Sequence, residues 1–215
     1  MEDVLAVYEQ APQPNRARLY FDERTCQLID ELVAPLTIKP GKVGKEDNEY
    51  VRKGTCVVLL AYDLDTGQRY VQVRKRRTKA DYAEFMHELV SAHYPDIDLV
   101  EVVQDNLNTH KYGSFYEHLA VERARALSRQ VIFHYTPKHG SWQSRVAGAI
   151  EFPALARQCL NRRIGSLDEL DRQISLWVSE RNQRAVKVHW SFTVATAESK
   201  LKRWYEQVNP ANKLN

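Results

Sequence analysis

The feature that most constrains this chain is a hairpin followed by strands and helices in alternation. Thr55–Tyr62 (TCVVLLAY) is a continuous apolar run of strand length. Asp65, Thr66 and Gly67 supply a turn, and Arg69–Arg74 alternates, with Val71 and Val73 among polar neighbours. A shorter run, Ala17–Phe21, ends in Asp22 and Glu23 and precedes the hairpin, so three strands can pair as an antiparallel meander. The pattern then changes. Thr78 and Asp81 form a capping box before Tyr82, Phe85, Met86, Leu89 and Val90, which recur at helical spacing until Pro95. Leu99–Val103 reads as a strand, Ser114 with Glu117 as a second capping box, Val121–Gln130 as helix and Val131–Tyr135 as a strand. A loop over Lys138–Gly148 leads to a helix from about Glu151 to Arg163. Ser166 and Glu169 cap another helix, Lys187–Phe192 suits a short strand or extended segment, and Leu201–Val208 closes the chain as helix.

A meander followed by strands separated by helices predicts an α/β protein of the ribonuclease H-like type. The expected sheet has five strands, the antiparallel meander plus parallel strands, with helices on both faces. Residues 1–16, broken by Pro12 and Pro14, form an N-terminal lead-in. Residues 17–165 form the core, and residues 166–215 form a C-terminal helical extension packed on it.

Bulk properties exclude several classes. No apolar run approaches the ~20 residues that span a bilayer, and the first residues lack the basic and apolar regions of a secretory signal. The three cysteines, Cys26, Cys56 and Cys159, are far apart, as expected of buried thiols in a reducing cytoplasm rather than disulfides or a zinc site. The net charge of +3 does not by itself demand nucleic acid. Its distribution says more: Arg74, Lys75, Arg76, Arg77 and Lys79 are nearly contiguous, a cluster suited to phosphates or to a solvated face.

The stretch LVEVVQDNLNTH, Leu99–His110, ends a buried strand on a carboxylate, Asp105. α/β proteins place chemistry at such strand ends, although an Asp there also serves as a turn-former. If the first strand lies beside this one, Asp22 and Asp105 occupy neighbouring strand ends. Two carboxylates held close repel, and an oxygen-seeking divalent cation, Mg²⁺ or Mn²⁺, relieves the repulsion. Two ions ~3.5–4 Å apart can activate a water or 3′-hydroxyl and stabilise the leaving oxygen in displacement at phosphorus. That scheme needs a third carboxylate, for which Glu151 is the candidate.

Four blocks, FDE (Phe21–Glu23), VVQDNLNTH (Val102–His110), HYTPKHGSW (His134–Trp142) and RQCLNRRI (Arg157–Ile164), resemble the catalytic domain of bacterial insertion-sequence transposases of the mariner-related group. These belong to the wider DDE transposase and retroviral-integrase superfamily. The resemblance implies that Asp22 and Asp105 are the first two acidic residues, that Mg²⁺ or Mn²⁺ is the cofactor, and that DNA is cleaved and then joined by strand transfer. It departs from the family at the third acid. Counting along SWQSRVAGAIEFPAL places the expected Glu at Ala147 or Ala149, two or more residues before Glu151. Two residues along a helix is a rotation of about 200°, so Glu151 either completes the triad from irregular chain near Pro153 or the site is incomplete. Relatives of this kind carry helix-turn-helix modules that nothing before Arg16 could hold. A partner or fused N-terminal half, together with a homodimer on two DNA ends, is therefore expected.

The candidate DNA contacts are Lys75, Arg76, Arg77, His110, Lys138, His139, Trp142, Arg157 and Arg162. His110, His134 and His139 border the proposed site, where they could touch phosphates or orient a carboxylate. The resulting expectation is a cytoplasmic DNA transposase domain. The alternatives are a structure-selective nuclease of the same fold and an inactive DNA-binding remnant.

Overall fold

The structure is a computed structural model that describes residues 2–33, 48–137, 147–188 and 193–208. Among them, five strands form one sheet: β1 (Arg16–Glu31), β2 (Tyr50–Asp63), β3 (Arg69–Arg74), β4 (Leu99–Gln104) and β5 (Val131–Tyr135), in the order β3-β2-β1-β4-β5. The first three are antiparallel, and β1, β4 and β5 run parallel. The meander-plus-parallel order expected from the sequence is the observed one.

Strand alternation sends opposite side chains to two cores. Leu19 and Phe21 of β1 point into one core with Val57, Leu59, Val100 and Val102. Against it pack α2 (Lys79–His93), α3 (Tyr112–His118) and α4 (Val121–Gln130) through Tyr82, Phe85, Met86, Phe115, Ala124 and Leu127. Tyr20 and Leu28 point the other way, joining Val58, Leu60, Tyr62 and Val103. That face is covered by α1 (Glu2–Glu9), α5 (Ala147–Gln158) and α6 (Leu167–Gln183), which contribute Val4, Val7, Phe152, Leu155, Leu170, Ile174 and Trp177. α7 (Val194–Val208) follows, its Ala197 packing with Leu5 of α1.

Several local expectations need correcting. β1 does not stop at Phe21 but continues to Glu31, and β2 begins at Tyr50 within the stretch read as loop. The two form a long ribbon whose register slips between Leu28 and Ile29, where Gly54 takes a φ of +122° that only glycine adopts at no steric cost. The Thr78 and Ser166 caps are present, with Asp81 N–H and Glu169 N–H donating to the hydroxyls. Ser114 caps nothing: α3 starts earlier, at Tyr112, and the Ser114 hydroxyl donates to Thr109 C=O at 2.7 Å. α5 starts at Ala147 rather than Glu151, so Pro153 lies inside it. Residues 187–188 carry no strand, and residues 189–192 lie outside the described residues.

Candidate functional site

The site is set by sheet register. β1 and β4 pair in parallel from Arg16 with Leu99 to Tyr20 with Val103. Continued two residues past the last pair, that register brings Asp22 level with Asp105, and the two carboxylates lie near enough for the charge of Asp105 to act on Asp22. β4 ends at Gln104 while β1 runs on, so Asp22 sits in mid-strand, next to the point where its neighbour gives out. Asp105 is the first residue past that end, with its side chain 44% exposed.

Among the described residues, the hydrogen-bond donors to Asp22 are a phenol and an amide. Tyr20 O–H donates to its Oδ2 at 3.0 Å, and Glu23 N–H donates to its Oδ1 at 2.8 Å. Burial raises its pKa; these two bonds work against the rise, and the charges of Glu23 and Asp105 add to it, leaving the group at about 6. Burial, then the charge of Asp22, with smaller contributions from Tyr8 and Asp105, pushes the Tyr20 hydroxyl well above its ordinary range.

Asp105 is held by His110. The imidazole Nδ1 lies 2.6 Å from Asp105 Oδ1, and Nε2 lies 2.8 Å from Glu23 Oε2 on the opposite side of the ring. Glu23 follows Asp22 on β1, and alternation carries it to the other face of the sheet, where it is buried and its Oε1 accepts from Arg77 at 3.2 Å. Burial disfavours the imidazolium, but the bonds to Asp105 and Glu23 overcome this and raise His110 to about 9. The ring packs edge-on against Phe21 and lies over Tyr82, at centroid distances of 5.2 and 4.8 Å. Its backbone carbonyl accepts from Tyr135 O–H and Gln104 Nε2.

Glu151 is placed differently. It is fully buried on α5, where Arg69 Nε and Nη2 donate to its two oxygens at 2.6 and 2.8 Å and Arg181 Nη2 donates at 3.2 Å. Arg69, from β3, also donates to Gly67 C=O and Val186 C=O. A carboxylate closed off by two guanidiniums ties β3, α5 and α6 together, and both its oxygens are occupied.

The expected DNA contacts divide. Lys75, Arg76 and Arg77 are exposed after β3; Arg77 is paired with Glu23, whereas Lys75 and Arg76 form no ion pair among the described residues. Arg157 is exposed on α5. Arg162 lines a cavity of about 270 Å³ together with Arg24 and Arg163, and Arg24 follows Asp22 by two residues on the same strand face. His134 lies away from this group, against Asp3 and Glu101. Lys138, His139 and Trp142 lie outside the described residues.

Sequence reasoning missed Glu23, Tyr20, Arg69 and Arg181. Period two along FDE was a usable signal for Glu23, since it sets Asp22 and Glu23 on opposite faces. Nothing local announces that Arg69 meets Glu151, 82 residues later.

Comparison with known proteins identifies the family. Residues 17–171 match the model of the DDE superfamily endonucleases. The chain belongs to that family. Among solved structures, the chain is similar to the Mos1 mariner paired-end complex with Mn, at 15% identity and TM-score 0.54, covering 99% of this chain and 60% of that one. It is also similar to the catalytic domain of Mos1 mariner transposase, at 12% identity and TM-score 0.50, covering 92% and 83%. The Mos1 strand transfer complex matches at 14% identity and TM-score 0.53, covering 99% and 59%. This chain thus spans about 60% of the longer Mos1 chains. No curated protein matches. At such identities the likeness establishes the fold: a ribonuclease H-like mixed sheet flanked by helices, as in transposase catalytic domains.

Proposed function

We propose that this DDE endonuclease domain is the catalytic domain of a DNA transposase, in which Asp22 and Asp105 hold a divalent cation, Mg²⁺ or Mn²⁺. The observation that carries the reading is their juxtaposition where β4 ends beside β1. The donor set fits such an ion: it consists of carboxylate oxygens, and burial with the charges of Glu23 and Asp105 raises Asp22 to about 6, a cost that a divalent cation would relieve. Mg²⁺ commonly takes one or two carboxylates and leaves its other positions to water and substrate phosphate. When bound, the ion polarises a phosphoryl oxygen and eases deprotonation of the attacking water or hydroxyl.

The chain's own residues supply the rest. Asp22 would hold the ion from β1 and Asp105 from the turn just past β4, with Tyr20 and His110 orienting the two carboxylates. Arg24 and Arg162, on the same side as Asp22, are placed to meet backbone phosphates, and Lys75 and Arg76 offer a second basic surface. Glu151 is assigned a structural role, because freeing it would leave Arg69 buried without its anion. No group of three or more His, Cys, Asp or Glu suited to a metal occurs among the described residues. A one-ion site of two aspartates is therefore the arrangement the described residues support.

We further propose that the substrate is the ends of a bacterial insertion sequence, acted on by a homodimer. The support is the four sequence blocks and the fold shared with Mos1. Recognition of those ends would fall to helix-turn-helix modules, supplied by a partner or a fused N-terminal half. No helix among the described residues is long and apolar enough to cross a membrane, and a cytoplasmic location is proposed with the function.

The test is incubation with labelled DNA ends and Mg²⁺ or Mn²⁺. Nicking and joining that vanish in Asp105→Ala support a transposase, whereas hydrolysed ends without joined products support a nuclease. One observation, the occupied carboxylate of Glu151, favours the second reading of an inactive DNA-binding remnant. That reading predicts DNA binding with no Mn²⁺ uptake in a calorimetric titration.

A further inference from the structure

Asp105 is the more exposed of the two aspartates, and a half-exposed side chain would ordinarily sample several rotamers. Here one of its oxygens is committed. Oδ1 faces His110 Nδ1 at 2.6 Å and also accepts from Leu107 N–H at 3.4 Å, while Oδ2 accepts no hydrogen bond among the described residues. The imidazole itself cannot turn. Its far nitrogen meets Glu23 Oε2 at 2.8 Å, Phe21 and Tyr82 pack on the ring, and its backbone carbonyl takes bonds from Gln104 and Tyr135. Glu23 is itself tied to Arg77. The result is a rod of four side chains, Arg77–Glu23–His110–Asp105, that starts on the opposite face of the sheet and ends at one oxygen of the candidate ligand.

We propose that His110 is a positioning residue for the metal site: its Nδ1 holds Asp105 so that Oδ2 alone is presented to the ion. This rests on the reading of Asp22 and Asp105 as metal ligands and adds how one of them is aimed. Groups that orient a ligating side chain commonly change metal affinity by 10–100-fold when removed, because the ion must then order the carboxylate itself. The inference separates the two nitrogens of His110. An asparagine side chain places its amide nitrogen as many bonds from Cα as Nδ1, whereas glutamine places its own near the position of Nε2. His110→Asn therefore keeps the donor to Asp105 and gives up the contact with Glu23, and His110→Gln does the reverse.

The experiment is Mn²⁺ titration of the full chain, followed by the electron paramagnetic resonance signal of free Mn²⁺, with Tm recorded for each variant. The expected result is a dissociation constant about tenfold higher for His110→Gln than for wild type. His110→Asn should recover most of that loss even if its Tm falls as far. Equal affinities in all three proteins, or equal weakening in both variants, would overturn the proposal. A wild-type chain that takes up no Mn²⁺ would overturn the metal reading itself and this inference with it.

A measurement on the wild type stands independently of whether the variants fold. In ¹⁵N-histidine spectra, the Nδ1 proton of His110 should remain visible and protected at saturating Mg²⁺. Its loss on adding Mg²⁺ would mean that Oδ1 leaves the imidazole for the ion, which contradicts the proposal.

Discussion

Two sets of acidic residues occupy the same fold, and they differ in how completely their charge is answered. Glu151 is enclosed by Arg69 and Arg181, with both oxygens accepting from guanidinium groups in a fully buried setting. Asp22 has a phenol and an amide for company, and Asp105 has one imidazole on one oxygen. The first set is closed, a cross-link between β3, α5 and α6. The second is open, two carboxylates of like charge at the point where β4 ends beside β1. A cation would have to compete with two guanidiniums at Glu151, but with a phenol, an amide and one imidazole at Asp22 and Asp105. That difference, more than the identity of the residues, separates a structural carboxylate from a candidate ligand. On the proposed reading, it sets Glu151, the acid nearest the expected third position, apart from the two candidate ligands.

The contrast can be broken most sharply by removing one member of each set. Asp105→Ala should reduce metal-dependent nicking and joining of DNA ends to background, a loss of roughly 100-fold or more, read by product analysis on a sequencing gel. Glu151→Ala should act on stability: stranding Arg69 without its anion should cost about 3–5 kcal/mol, measured by urea unfolding of the metal-free protein. If Glu151→Ala instead left stability unchanged and removed metal uptake, the roles assigned to the two sets would be reversed.

A smaller effect sharpens the open set. Asp22 has a folded pKa of about 6, above its ordinary 3.8. Its ionisation is therefore unfavourable in the native state: the cost is absent below about pH 4, grows between pH 4 and 6, and is complete above 6. Asp22→Asn should accordingly stabilise the metal-free protein by of order 2 kcal/mol at pH 7 and by little at pH 4, as followed by thermal unfolding in EDTA. The converse holds for His110. Its folded pKa of about 9 exceeds the ordinary 6.5, so its pairing stabilises fully below about pH 6.5 and is lost as pH rises through 9. Metal-free wild type should thus lose stability between pH 6.5 and 9, and His110→Asn should flatten that slope.

How much of this was legible in the sequence depends on whether a feature is local. The strand Thr55–Tyr62, the turn at Asp65–Gly67 and the caps at Thr78 and Ser166 are fixed by residues a few positions apart, and each is observed. The long β1–β2 ribbon was not legible, because its outer half lacks the regular apolar alternation of a strand; cross-strand pairing carries it, with Leu28 its one buried apolar side chain beyond Arg24 on β1. The Ser114 motif had the spacing of a cap, yet the hydroxyl found Thr109 C=O instead. Asp22 and Asp105 were legible as a pair because strand order decides which strands are neighbours. The closing of Glu151 by Arg69 and Arg181, and the reach of His110 to Glu23 across the sheet, depend on side chains from separate elements meeting in the folded chain, and no spacing in the sequence encodes them.

The most direct test of the account is the stoichiometry and affinity of Mn²⁺ for four proteins at pH 7.5: wild type, Asp22→Asn, Asp105→Asn and Glu151→Gln, each verified as folded by circular dichroism. The expected result is one ion bound by wild type, similar binding by Glu151→Gln, and no measurable binding by either aspartate variant. Retained binding in both aspartate variants, or its loss in Glu151→Gln alone, would contradict it.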